Sequence, residues 1–415
     1  MRTHVPRVKP DGDYGAAMTG PLHGFKVVEA CQMVAGPLAA TICADLGAEV
    51  VKVEVPTGGD RFRYLGHRVN DIASMWAGVN RGKRAVCLDL QHPDGLAVMK
   101  QLVAGADVFI QNFRPGVVGR LGIDEAALRA VNPGLIYVSV SGFGDTGPYA
   151  DQKSYDYVVQ ALSGLAALQT PPGGDPTLVR SIVIDKVTAM TAAQSILAAL
   201  LVRERGGGGQ HIRLSMLDTA LSFLWPDGFM QHSLLADDGR VTPAPHMADG
   251  YMVRRTSDGH LALMATSERQ FPGLCAALGR NDWLTDPRFA TLADRETNAE
   301  LLSDLMSQEI EKHRAADLVD RLHQHDVPCA AVNPLDRVHL DPQVVHNQTL
   351  VTHERPWLGL VREARPPARY SNTPTSLGRH APALDEHTDE VLRELGHDDE
   401  AIARLRSTGA VGART

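Results

Sequence analysis

One acid, Asp156, heads the otherwise apolar run "KSYDYVVQALSGL" at 153–165. Behind it Val158, Val159, Ala161, Leu162 and Leu165 recur at helical spacing. An acid at a helix start can cap the backbone. It can also be a covalent nucleophile, and a helix N-terminus favours its ionised form. Just upstream, "SVSGFGDTGPYADQKSYD" runs from a strand end through a Gly-rich loop to Asp156. Backbone N–H groups in such a loop can stabilise an oxyanion. From these residues alone, cap and nucleophile both stand.

Anion-binding chemistry clusters nearby. "NRGKRAVCLDL" and "QNFRPGVVGRLG" bring Arg81, Lys83, Arg84, Arg114 and Arg120 to strand ends, where they are candidates for holding phosphates. In "MVAGPLAATICADLGAEVVKVE", Gly36-Pro37 opens a helix and leaves free N–H groups at its positive end. The stretch has no GxGxxG, which disfavours a nicotinamide or flavin dinucleotide. The run "GGGG" at 206–209 lacks the Lys-Ser/Thr of a phosphate loop and reads as a turn between helix and strand. The densest histidine group, "HRAADLVDRLHQHD" with His313, His323 and His325, lacks HExxH spacing, so no metal site is expected. Five cysteines without CxxC spacing (Cys31, Cys43, Cys87, Cys275 and Cys329) suit a reducing, cytoplasmic location and no disulfide framework.

These groups need a scaffold, and 415 residues allow two or three domains. A hydrophobic fraction of 44% and a charged fraction of 22% are ordinary for a globular protein. The net charge of −8 gives no reason to expect nucleic acid or an acidic membrane as partner. The apolar stretches read as too short to span a bilayer. Residues 1–20 carry bases but no apolar core, so they read as a flexible tail and not as a secretory signal. From residue 25, short β-branched strands alternate with helices: "FKVVEA", "AEVVKVEV", "RAVCLDL", "DVFIQNF" and "GLIYVSVSGFG" are the strands. This predicts an α/β fold with a parallel sheet covered on both faces, binding its ligand at the carboxyl ends of the strands. Long helices are expected at about 156–169 and 182–204. Residues 21–225 then form a large domain, 226–249 a linker, and 250–342 a small α+β domain. Within the small domain, a hairpin turns at Ser257-Asp258-Gly259. Residues 343–415 are a linker and a return to the large domain, closing with helices at about 388–395 and 398–407.

In this order, "AGPLAATICADLGAEVVKVE", "NRGKRAVCLDL", "QNFRPGVVGRLG", "SYDYVVQALSGL" and "GQHIRLSMLDTAL" resemble the class III CoA-transferases. That group includes formyl-CoA transferase and carnitine CoA-transferase and is related to the α-methylacyl-CoA racemases. The resemblance implies a Rossmann-like large domain, a small domain and an interlocked homodimer. It implies that Asp156 is the nucleophile, forming a mixed anhydride with the donor acid and then an aspartyl-CoA thioester. Acyl-CoA and a small carboxylic acid would be the substrates, with no permanently bound cofactor. The CoA-contacting positions match Val34, Ala35 and Val55. They continue with Leu88, Asp89, Leu90 and Gln91, then Asn112, Phe113, Arg114 and Arg120. Ser141, Gly142, Phe143 and Gly144 complete them.

Two departures narrow the activity. Formyl-type members carry Gln at the position of Val34 and Tyr-Glu at Phe143-Gly144, which points away from formate and oxalate. Racemase members place a His in the stretch that here reads "DEAALRAVN", so the racemase alternative lacks its second base. A non-catalytic CoA-binding relative is the other alternative, against which the retained Asp156 argues.

Overall fold

The architecture is that of a computed structural model of the chain. It describes residues 20–413 except 71, 172, 237, 238, 245, 266 and 357, so residues 1–19 of the expected tail lie outside the described residues. The chain divides into two compact units, residues 1–226 with 348–415, and residues 227–347.

The first unit is built on six strands: β1 (Lys26–Ala30), β2 (Glu49–Glu54), β3 (Lys83–Cys87), β4 (Val108–Gln111), β5 (Ile136–Ser141) and β6 (His211–Ser215). Every pairing is parallel, in the order β3-β2-β1-β4-β5-β6. This is the doubly wound order, which reverses between β1 and β4 and opens a crevice at their carboxyl ends. Val27 pairs with Val50 on one side and Val108 on the other.

The period of two along each strand sorts the core into two layers. Val27, Val50, Val108, Ile136 and Val138 point to one face, where α1 (Ala35–Asp45) and α8 (Val183–Glu204) cover them. Their neighbours Val28, Val51, Phe109 and Tyr137 point to the other. That face is closed by α3 (Pro93–Ala104) and α5 (Glu125–Val131). Smaller helices complete the unit up to residue 226. They are α2 (Ser74–Asn80), α4 (Val117–Arg120), α6 (Asp156–Leu162), α7 (Leu165–Leu168) and α9 (Met216–Gly228).

Three expectations need correction. The single helix expected over 156–169 is two, because Gly164 takes a left-handed conformation at φ 88° that an α-helix cannot continue. The second concerns α8, which at 22 residues is long and apolar enough to cross a bilayer, contrary to the sequence reading. Its Ile184, Thr188, Ala189, Ala192 and Ile196 are buried in the unit. Small residues (Ala39 on α1, Ala189 and Ala192 on α8) let the two helices meet closely. Third, residues expected as linker after 343 include an antiparallel hairpin.

The second unit carries a three-stranded antiparallel sheet of β7 (Val253–Arg255), β8 (His260–Leu263) and β9 (Cys329–Ala331), with β8 in the centre. β7 and β8 turn through residues 256–259, closed by the Thr256 N–H on the Gly259 carbonyl at 3.0 Å. Helices α10 (Gln270–Leu278), α11 (Leu292–Thr297), α12 (Ala299–Ile310) and α13 (Ala315–Gln324) complete it. Its own core includes Phe271, Trp283, Phe289 and Leu322.

From 348 the chain belongs to the first unit again. The hairpin is β10 (Leu350–Arg355) with β11 (Gly359–Ala364). Helices α14 (Thr388–Glu394) and α15 (Asp399–Ser407) then add Val391, Leu392, Ile402 and Leu405 to the layer beneath β1–β5. Gly412 finally donates to the Cys87 carbonyl at the end of β3.

Candidate active site

Beneath the crevice lies a buried ion network that sets its floor. Glu29 on β1 accepts from Lys52 of β2 and Lys83 of β3, each at 2.8 Å. Burial alone would penalise the Glu29 carboxylate most, but the two ammonium groups hold its pKa below the ordinary value. Lys52 also donates to the Cys31 carbonyl at 2.8 Å and lies 3.3 Å from Asp60. Lys83 reaches the Pro37 and Val79 carbonyls and Asn80. Burial pushes Lys83 down to about 8. The network thereby fixes the start of α1 and the end of α2 against three strands.

Lys83 and Arg84 are thus not phosphate ligands, contrary to the sequence reading. They are the first residues of β3, and the Lys83 ammonium is taken up by the buried network. Arg84 pairs with Glu49, Glu390 and Glu394. Arg81 is held by Asp45 at 2.6 Å. A strand has two ends, and a motif of bases beside it does not say which end they occupy.

At the carboxyl edge the loop after β1 is pinned. Asn112 accepts from the Gln32 N–H at 2.9 Å and returns a bond to the Gln32 carbonyl at 2.7 Å. Met33 has φ 67°, a strained conformation for a residue with a side chain, and its N–H is held by Asp60 at 3.1 Å. The strain delivers the chain to Val34 and Ala35 at the head of α1.

On the neighbouring strand, Gly142 follows β5 directly. A Cβ there would sit 2.1 Å from the Ser154 Oγ. Only glycine lets the loop before α6 pack this closely against the strand end, and that packing sets where α6 begins.

Asp156 is the first residue of α6, one place past the cap position held by Tyr155. Its carboxylate does not cap α6. It is 5% exposed and accepts two hydrogen bonds from elsewhere. Gln160 Nε2, one turn along α6, donates to Oδ1 at 2.5 Å. The backbone N–H of Asp185, in the first turn of α8, donates to Oδ2 at 2.9 Å. The expected cap is therefore a contact to a different helix. Gln160 in turn clamps the approach to α8. It donates to the Ser181 carbonyl at 3.1 Å and accepts from the Val179 N–H at 2.9 Å.

A cavity of about 410 Å³, within the range of small-ligand sites, is lined by Tyr155, the residue before Asp156, and by Asp185, which is bonded to it; Asp156 itself lies just behind the wall. The cavity is lined by Val34, Ala35, Asn112, Phe113, Arg114, Ser141 and Gly142 among the residues expected from the sequence. Lys153, Tyr155 and Asp185 join them. Burial and the charge of Asp156 push the Asp185 carboxyl up to about 7, against a hydrogen bond from the Ala35 N–H. Arg114 and Lys153 are exposed, and among the described residues neither side chain has an ion pair or hydrogen bond.

Other expected residues lie apart. Leu90, Gln91 and Arg120 line a neighbouring hollow of about 730 Å³. Val55 and Leu88 border a narrow crevice, also lined by Leu90 and Phe113. Leu88 is 1% exposed and also belongs to the core. Asp89 accepts from the Gln91 N–H at 3.0 Å. Phe143 packs edge-on to Tyr149, and the Gly144 N–H is taken by the Ser141 Oγ at 3.0 Å.

Sequence reasoning missed Gln160 and Asp185. Gln160 carried a usable signal, being four residues after Asp156 on one helix face. Asp185 carried none.

Three comparisons bear on this arrangement. The description of CoA-transferase family III matches residues 22–388. The chain is 36% identical over 400 residues to succinate–glutarate CoA-transferase of Agrobacterium fabrum, covering 95% of this chain and 98% of that protein. It is 31% identical over 395 residues to human succinyl-CoA:glutarate CoA-transferase, covering 94% and 90%. The crystal structure of a CAIB/BAIF family protein from Brucella suis superposes with TM-score 0.80 at 32% identity, covering 91% of this chain and all of that one.

Proposed function

Because the chain belongs to CoA-transferase family III, an enzyme family that moves CoA from an acyl-CoA to a carboxylate, we propose that Asp156 is the nucleophile of the transfer. The observation that carries this reading is the Asp156 carboxylate held between Gln160 and the Asp185 N–H beside the cavity. Two donors from two helices orient one buried acid, and orientation of this kind is what a covalent nucleophile requires.

The proposed sequence has two halves. An Asp156 oxygen attacks the thioester carbonyl, the C–S bond breaks, and an acyl-aspartyl anhydride forms. The CoA sulfur then attacks Cγ of Asp156, releasing the donor acid and leaving an aspartyl-CoA thioester. An acceptor carboxylate reverses both steps. Thioester energy is carried through, so we read the transfer as needing neither ATP nor a resident cofactor. Burial of Asp156 suits intermediates that water would destroy.

We propose dicarboxylic acids of the succinate and glutarate class as substrates, in line with the named activities of the two relatives. The unpaired Arg114 and Lys153 in the cavity wall support this, since a second carboxylate needs a cation. We also read the chain as an interlocked homodimer of the cytoplasm. Met190, Leu197 and Leu201 form an exposed apolar stripe along α8 that a partner would cover. The test of substrate class is a panel of carboxylates offered with succinyl-CoA, with product thioesters read by mass. Glutarate and its near homologues should accept CoA. Transfer only to monocarboxylates would overturn the assignment.

A further inference from the structure

Two acids meet at the cavity wall, Asp185 lining it and Asp156 hydrogen-bonded just behind, and they are differently held. Asp156 is met by donors at both oxygens. Asp185 gives its backbone N–H to Asp156, while its own carboxyl accepts from the Ala35 N–H at the head of α1 and lines the cavity. We propose that Asp185 is the acid–base group of the transfer, giving a proton to the CoA sulfur as it leaves and recovering it as the sulfur returns. This rests on the reading of Asp156 as nucleophile.

Two carboxyl groups in one low-dielectric site do not both ionise cheaply. One must be the anionic nucleophile, and the other then keeps its proton. Burial and the Asp156 charge raise Asp185 to about 7, so it exchanges a proton at neutral pH. Several ionisable groups lie on the elements packed around it. α1 carries Cys43 and Asp45 at its far end, α6 carries Tyr157, β5 carries Tyr137, and β6 carries His211 and Arg213. On α8 itself, Lys186 is bonded to the Ser181 Oγ at 2.9 Å. Of these groups and the cavity's Arg114 and Lys153, none bears on Asp185 as Asp156 does.

The proton balances across both halves. As the bond from an Asp156 oxygen to the acyl carbon forms and the C–S bond breaks, the sulfur electron pair takes the Asp185 proton. The products are the anhydride, a CoA thiol and an Asp185 carboxylate. On return, that carboxylate removes the thiol proton while the sulfur bonds to Cγ of Asp156. The bond from Cγ to the acyl-bearing oxygen breaks, and the donor acid leaves as its anion. A thiol ordinarily titrates near about 8.5, so the first proton transfer runs downhill.

The experiment follows the first half alone. Succinyl-CoA is mixed with enzyme without acceptor, hydroxylamine traps the Asp156 adduct, and the rate of its formation is followed between about pH 6 and 8.5. The wild-type rate should fall as pH rises through about 7, where Asp185 loses its proton. Asp185→Asn keeps an oxygen for the Ala35 N–H and leaves the backbone bond to Asp156 in place. It should form the adduct roughly 10²-fold more slowly and without the fall. A wild-type rate that is flat with pH overturns the proposal whether or not the variant folds. So does a slowed variant that keeps the fall, which assigns Asp185 a structural role alone. If the wild type forms no Asp156 adduct, the nucleophile reading itself fails.

Discussion

Gln160 Nε2 stands 2.5 Å from Asp156 Oδ1, one turn along the same helix, and reaches the Ser181 carbonyl with the same amide group. One buried side chain thus ties the candidate nucleophile to the segment that leads into α8. Gln160→Ala would leave the Val179 N–H and one Asp156 oxygen without their partner. The expected result is a loss of about 1–3 kcal/mol of stability, the cost of unpaired buried groups. Turnover should fall at saturating substrate, because Asp156 would no longer be fixed in place. Urea unfolding and kcat measured on one preparation check both.

Asp156 itself separates chemistry from structure. Asp156→Asn retains an oxygen for one donor but sets its NH2 group against the other, which is left unpaired, so stability should drop by about 1–3 kcal/mol. Transfer should fall by several orders of magnitude, as when a covalent nucleophile is removed. Asp156→Ala should lose the same activity and destabilise further, since the Gln160 amide and the Asp185 N–H both lose an acceptor. Near wild-type turnover in Asp156→Asn, without reversion by deamidation, would reduce the residue to a structural acceptor.

Arg114 and Arg120 follow the same strand but face different spaces, Arg114 the cavity beside Asp156 and Arg120 the hollow lined by Gln91. Neither guanidinium has a partner among the described residues. At least one should meet the phosphates or adenine of CoA. Its replacement by Ala should weaken CoA binding by roughly 1.5–3 kcal/mol, the range of charged hydrogen bonds. Titration calorimetry with CoA decides, and unchanged affinity in both single variants removes them from the site.

Glu29 pairs with two fully buried lysines, and Asp60 supplies the second buried carboxylate beside Lys52. Glu29→Gln would leave the buried Lys83 ammonium with no carboxylate and Lys52 with Asp60 alone, with an expected loss of about 3–5 kcal/mol. Denaturant unfolding should show it, together with reduced activity at the head of α1. A loss below about 1 kcal/mol would mean that the carbonyls around Lys52 and Lys83 suffice.

The exposed stripe of Met190, Leu197 and Leu201 predicts a dimer mass in sedimentation at micromolar concentration. Leu201→Asp should weaken it. A wild-type monomer under those conditions rejects the dimer.

The sheet was legible in the sequence because its strands are buried on both faces. "FKVVEA" and "DVFIQNF" read as strands by composition alone, since a parallel sheet needs apolar residues at nearly every position. The isolated acid of "KSYDYVVQALSGL" was legible too, as was the helix it begins. What residue spacing could not supply was direction and partnership. Lys83 and Arg114 both read as bases at strand ends, yet one is buried in the ion network and the other lines the cavity. The break at Gly164 depended on a backbone angle, and the burial of α8 on the small residues facing it. The tertiary structure alone brought Asp185 to Asp156 across 29 residues. Local sequence encodes periodicity, because burial acts on each residue where it stands. It does not encode which two distant groups meet, because that depends on how independent helices are set against one sheet.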